Sequence, residues 1–230
     1  MTLVQRSATT VASVESAGLV VQLFTEGRSV EDTDLVALTS THEVSTKGAQ
    51  LLARAMYEKD SALIDGLNEI GFKTDYGEGG TGFQFKYFRR EGGYYLNVGC
   101  SELLISGHIS LLQFTDIEQF VPDGVRLVDG THIPVDLIVL ATGYQNLQEQ
   151  VRLLFGNEIA DAVGPVWGFD PSGEIYNTWK RTAQPGLWFH AGSLPQARTF
   201  SKYLALQIKA VEEGLLDAAA PAMPVVATTP

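Results

Sequence analysis

Cysteine occurs once in the 230 residues, as Cys100, so no disulfide can close within the chain. Low cysteine usage makes a cytoplasmic compartment the default expectation. Positive charge is also scarce: 16 Lys and Arg face 27 Asp and Glu, a formal net charge of −11. That balance argues against nucleic acid or an anionic membrane surface as the main partner. It leaves room for a local basic pocket that holds a phosphate. No apolar stretch approaches the roughly 20 residues of a membrane span, and the opening Met1-Thr2-Leu3-Val4-Gln5-Arg6 has no signal-peptide pattern. The four histidines, His42, His108, His132 and His190, lack metal-ligand spacing. There is no G-x-S-x-G elbow and no Walker loop.

What is present suffices for a core, since 45% of the residues are hydrophobic. Residues 1–6 read as a strand, with Leu3-Val4 as its tail. A domain rarely opens on an inner strand, so a truncated or split protein is the expectation. Short helices are predicted around Gly18 to Phe24 and Leu35 to Thr39. Helical spacing continues from Lys47 to Ile70, with Asp60 or Ser61 capping its second half. Residues 71–93 read as a long glycine-rich loop, and strands and turns follow from Tyr94. His108 to Phe114, Ile117 to Val121 and Val125 to Val128 are the predicted strands, with Asp123-Gly124 and Asp129-Gly130 as turns. Glu149 to Phe155 reads as a helix and Gly186 to His190 as a strand. A helix follows over about Thr199 to Glu213, ended by Gly214.

One segment stands out. Leu137-Ile138-Val139-Leu140 is a continuous apolar run, as expected of a strand buried on both faces. It is predicted to close the meander as a buried strand over 135–141, then to break at Thr142-Gly143. Gly77-Glu78-Gly79-Gly80-Thr81-Gly82 satisfies G-x-G-x-x-G, but the alternation of Phe83 to Phe88 after it reads as a strand. A dinucleotide fingerprint opens a helix instead, so this segment reads as a turn. The aromatic cluster Trp167, Phe169, Tyr176, Trp179 and Trp188 reads as core, and Cys100 as a packed rather than a nucleophilic thiol.

Gln5-Arg6-Ser7, Ala141-Thr142-Gly143-Tyr144, and Leu187-Trp188-Phe189-His190-Ala191-Gly192-Ser193 followed by a helix occur here in that order. The ordered set resembles the flavin-containing monooxygenases near the Baeyer–Villiger enzymes, and covers only the C-terminal portion of such a protein. The resemblance implies an α/β protein with an incomplete two-dinucleotide-binding-domain flavoprotein fold, a parallel sheet plus a β-meander with helices. Residues 1–141 would be a partial NADP-binding domain with an insertion at about 7–93. Residues 142–217 would be the C-terminal part of an FAD-binding domain, and 218–230 a disordered tail.

Through the same resemblance Arg6 and Ser7 would face the 2′-phosphate of NADP, since an arginine at this strand end accommodates that group where an acid selects NAD. Thr142, Gly143 and Tyr144 would link the two domains near both cofactors, with a positioning role. Gly192, Ser193, Arg198, Thr199 and Phe200 would bring a helix N-terminus toward the flavin. The Asp75 to Phe83 segment would lie in the nicotinamide domain. The implied reaction inserts one oxygen atom of O2 into a small organic substrate with NADPH and FAD, and no residue is assigned as catalytic acid or base. Both pyrophosphate-binding glycine loops would lie upstream of Met1, so a polypeptide supplying the N-terminal half is the expected partner. Two alternatives stay open: a non-catalytic remnant or interaction module of the same fold, and an NAD(P)H-dependent flavoprotein reductase.

Overall fold

The computed structural model describes residues 1–220. Within them the protein is mixed α/β, with small parallel and antiparallel sheets. The strands are β1 (Thr2–Gln5), β2 (Thr10–Ser13), β3 (Tyr94–Asn97), β4 (Ser110–Gln113), β5 (Ile117–Val121), β6 (Gly124–Leu127) and β7 (His132–Pro134). The helices are α1 (Val14–Ala17), α2 (Val30–Leu38), α3 (His42–Lys59), α4 (Ser61–Glu69), α5 (Gly82–Arg90), α6 (Cys100–Ile105), α7 (Leu147–Phe155), α8 (Asn157–Val163) and α9 (Leu194–Glu212). The described chain divides into two compact units: residues 1–20, 46–87 and 91–143 form one, and 21–45, 88–90 and 144–220 the other.

In the first unit β1 pairs with β4 and β2 with β3, both in parallel. Val11 of β2, Ile64 and Leu67 of α4, Phe72, Leu104 of α6 and Ile109 form its core. The helices supply them by spacing: Ala49, Ala53 and Met56 make the buried stripe of α3, and Ile64 and Leu67 that of α4. β5, β6 and β7 form an antiparallel meander. The Asp123-Gly124 turn tolerates no side chain, because a Cβ on Gly124 would stand 2.1 Å from the Ile133 carbonyl oxygen.

In the second unit Val151, Ala160, Val163 and Val166 form a core in which α7 packs on α8. Trp167 and Trp179 are buried, as expected of core aromatics, while Phe169, Tyr176 and Trp188 are half-buried. Gly214 leaves α9 at φ +70°, the left-handed conformation that ends helices. Residues 221–230 of the predicted tail lie outside the described residues. Just before them, the Ala220 amide donates to Thr182 O at 2.8 Å and the Arg181 guanidinium to Asp217 O at 2.8 Å.

Five local expectations are corrected. The 71–93 loop ends in α5, whose buried residues Gly82, Phe85 and Lys86 follow helical spacing. Its alternating aromatics mimic a strand, but burial follows the 3.6-residue period. A helix, α6, interrupts the strands after Tyr94. Asn97, the last residue of β3, is bonded to its first turn, its Oδ1 accepting from the Ser101 amide at 2.9 Å and its Nδ2 donating to Glu102 at 2.9 Å. Asp60 makes no cap bond to α4. Its carboxylate instead accepts from Ser13 N (2.8 Å), Ser13 Oγ (2.8 Å) and Ser16 Oγ (2.7 Å), tying α4 to α1. Residues 186–190 form no strand and only a single bridge, Thr178 to Phe189.

The largest correction concerns 135–141, which is not a buried strand. β7 closes the meander at Pro134, and the apolar run beyond it is unpaired and exposed, with Leu137 at 79%, Val139 at 76% and Leu140 at 74%. The Val135 amide still donates to Asp123 O at 3.0 Å, and among the described residues no backbone hydrogen bond involves residues 136–145. A run apolar on both faces becomes a strand only between two neighbours that satisfy its backbone, and here no strand lies beside it.

Candidate functional site

The strand end that carries Arg6 is held by an unusual frame. Gln5, the last residue of β1, is buried, and its side-chain amide acts as a piece of backbone. Nε2 donates to Lys73 O at 2.8 Å and Oε1 accepts from Lys73 N at 2.9 Å. Gln113 on β4 adds a bond from its own Nε2 to Gln5 Oε1 at 3.0 Å. Four residues on, the Thr9 amide donates to Lys73 O (3.0 Å), the Asp75 amide to Thr9 O (3.2 Å), and Thr9 bridges Thr74 in parallel. The 71–75 segment therefore runs beside residues 5–9 as an irregular strand.

Arg6 and Ser7 lie on this frame, both exposed. Neither side chain has a hydrogen-bonding or ionic partner among the described residues. The Ser7 carbonyl accepts from Thr9 Oγ1 at 3.1 Å, which folds the turn back on itself.

The glycine segment follows directly and is anchored by a buried ion pair. Lys86 of α5 is 3% exposed, and its ammonium donates to Asp75 and, at 2.9 Å, to Gly93 O. Asp75 also accepts from Thr10 Oγ1 and, at 2.9 Å, from the Gly77 amide. Burial alone would raise the Asp75 pKa, but the bonds from Lys86, Thr10 and Gly77 outweigh it and hold the carboxyl below its ordinary value of 3.8. Tyr57 donates to Asp75 O at 3.0 Å, and burial, with the Asp75 charge, raises its phenol. Gly77 must be glycine: its φ is +72°, and a Cβ would stand 2.6 Å from Gly82 O. The segment thus does open a helix, against the sequence expectation. Thr81 Oγ1 donates within the segment, to Glu78 O at 2.7 Å.

Thr142 and Gly143 end the exposed run of the first unit, and Tyr144 begins the second; all three are exposed. Gly143 has φ +91° with nothing within 4 Å of a would-be Cβ, so its conformation, rather than crowding, selects glycine.

In the second unit, Gly192 and Ser193 form the start of α9. Gln196 turns back so that its Oε1 accepts from the Ser193 amide at 2.8 Å. A Cβ on Gly192, at φ +92°, would stand 2.4 Å from that oxygen. Arg198 is committed to a partner the sequence did not suggest. Its Nε donates to Asp34 Oδ2 at 2.7 Å and a terminal nitrogen to Oδ1 at 2.6 Å, a bidentate clasp between α9 and α2. The Arg198 guanidinium holds the buried Asp34 carboxyl below its ordinary value. Thr199 is buried, and Phe200 is half-buried with its ring centroid 6.0 Å from that of Trp179.

Sequence reasoning gave no role to Lys73 or to the Asp75–Lys86 pair, and it named Gln5 only as part of the Gln5-Arg6-Ser7 motif, without its role in this frame.

The chain matches no protein-family model and no curated protein. Among the described residues, no helix is long and apolar enough to cross a membrane.

Proposed function

We propose that this chain is the C-terminal portion of an NADPH- and FAD-dependent monooxygenase acting on a small organic substrate, and that it works with a polypeptide segment supplying further sheet strands. The observation that carries the reading is the exposed run Leu137 to Leu140 ending in Ala141-Thr142-Gly143-Tyr144. Its composition is that of a central parallel strand, and its backbone is unpaired, as expected of a strand whose neighbours come from elsewhere. The order of the three motifs supports the family reading.

The residues fit the two cofactors unequally. Arg6 and Ser7 present a free guanidinium and a hydroxyl at a strand end, a fit for the 2′-phosphate of NADP. They would bind and orient the nucleotide. The α9 start fits flavin less well, because Arg198 is clasped by Asp34 through its Nε and one terminal nitrogen and the Ser193 amide by Gln196. Bound FAD would supply the oxygen-activating chemistry, and the protein's part there would be placement and exclusion of water. The same engagement of Arg198 favours the second reading, a non-catalytic interaction module of this fold.

The test is to add FAD to the purified chain, remove free flavin by gel filtration and record the visible spectrum. Retained flavin absorbance, with NADPH oxidation yielding an oxygenated product, supports a self-sufficient enzyme. Reduction of an acceptor dye without oxygenated product indicates a reductase. Absence of retained flavin rules out activity of the chain by itself. The monooxygenase reading then survives only if a strand-supplying segment restores binding.

A further inference from the structure

We propose that the seam between β2, α3 and the first turn of α5 is a binding site for one small apolar molecule. In this structure the glycine segment before α5 closes it, with Gln50 of α3 as a latch. All of these residues belong to the first unit. The site goes beyond the monooxygenase reading and does not depend on a flavin.

The seam is not packed shut. Val11 and Ala12 of β2, Ala53 and Met56 of α3, and Gly82 and Phe83 of α5 line a cavity of about 10 Å³. That is about the space one water-sized molecule needs. Thr10 and Tyr57 also border it, and both hydroxyls are already spent. Thr10 Oγ1 donates to the Asp75 carboxylate, and Tyr57 donates to Asp75 O at 3.0 Å. A buried water needs roughly two to four polar partners, and these side chains offer it none. The interior therefore favours an apolar guest. A narrower gap continues along α3 past Leu52 to Ala49, bordered by Thr81, whose hydroxyl is likewise spent on Glu78 O.

The segment that leads into α5 is built to move. Its ends are pinned, with the Gly77 amide donating to Asp75 at 2.9 Å and the Gly82 amide to Tyr76 O at 2.9 Å. Its middle is not packed: Gly79 and Gly80 are exposed, with nothing within 4 Å of a would-be Cβ on either. From α3, Gln50 Nε2 reaches across to Gly79 O at 2.8 Å. Gln50 is exposed, so water competes for that bond and its net worth is small. A segment anchored at both ends and unpacked between them opens at low cost. Lifting it joins the cavity and the gap into one apolar groove beside α3. Apolar cavities of this kind stay dry and accept small apolar guests.

The experiment titrates the full chain, labelled with 15N and with 13C at its methyl groups, with benzene and follows it by NMR. The expected result is saturable shifts and intermolecular NOEs at the methyls of Val11, Ala53 and Met56, and none at Leu104 and Ile109 in the nearby core. Gln50→Ala should speed hydrogen exchange at the Gly80 and Thr81 amides. It should also tighten benzene binding, each effect reaching up to about tenfold, because the open state is then more populated. The Gly77 and Gly82 amides keep their own acceptors, so their unchanged exchange shows that the variant is folded. Benzene NOEs to Leu137 to Leu140 in place of the seam mean that it only coats the exposed run, and overturn the site. Absence of saturable shifts at the seam overturns it too. Seam binding and exchange that are both unchanged in Gln50→Ala overturn the latch and leave the site. Flavin retention is measured separately, so the site and the monooxygenase reading fail independently.

Discussion

Two apolar stretches of the first unit have opposite fates. Ile64 and Leu67 of α4, with Phe72 just beyond it, vanish into the core, whereas Leu137 to Leu140, no less apolar, stand in solvent. The difference lies in the backbone. A helix satisfies its own amides and carbonyls, so α4 needs only one apolar face covered. A strand must borrow its hydrogen bonds, so the 137–140 run stays open until a neighbour arrives. Composition told both stretches to be buried, and only one could comply alone.

The sharpest contrast between them is mutational. Leu67 is fully buried, and Leu67→Ala is expected to cost about 4 kcal/mol, toward the upper part of the range for such truncations. Leu140→Ala should change stability by less than about 0.5 kcal/mol, because its side chain is already in water. Urea titration of the two variants measures both. A loss at Leu140 comparable to that at Leu67 would mean that the run is buried in solution, and the contrast would collapse.

The buried ion pair is the next largest effect. Lys86→Met removes the one cation that touches Asp75 among the described residues and leaves its carboxylate partly buried. The expected cost is about 3 kcal/mol, at the low end for a broken buried pair because Asp75 keeps some solvent. The pair also sets a pH dependence. Asp75 has a folded pKa below its unfolded value, so its stabilisation is present above about pH 4 and is lost as the pH falls through the lower folded value. Asp34, held low by Arg198, gives the second unit the same sign. Melting temperatures followed from about pH 5 to pH 2 should fall in the wild type, and more shallowly in Asp75→Asn, where the group no longer titrates. An equally steep fall in the variant would show that Asp75 is not a source of the acid lability.

These cases show what could be read before the fold was known. α3, α4, α7 and α9 were legible because each carries an apolar stripe at helical spacing, and the meander because Asp-Gly marks its turns. α5 was misread because Phe83, Phe85 and Tyr87 alternate like a strand, while the burial of Lys86 is decided by Asp75, eleven residues earlier. Among the site residues, Arg6 and Ser7 lie where expected, at a strand end. Arg198 was expected at a helix start near Thr199, but α9 begins at Leu194, and the clasp by Asp34 spans 164 positions that no local pattern announces. Lys73 escaped notice for the same reason, since the Gln5 amide that recruits it is a long-range contact.

The smallest expected effect on stability is also the most direct probe of the exposed run. Val139→Lys puts a charge where the structure has solvent, so the unfolding free energy from urea titration should move by less than about 0.5 kcal/mol. Binding of the dye ANS should drop, because the run Leu137 to Leu140 is a contiguous exposed apolar segment. The same substitution should block pairing with any strand-supplying segment, because a lysine in the middle of a strand covered on both faces would be buried without a partner. A variant that keeps its dye binding would locate the sticky surface elsewhere. A variant that loses dye binding but still pairs with such a segment would show that the run is not the strand that joins it.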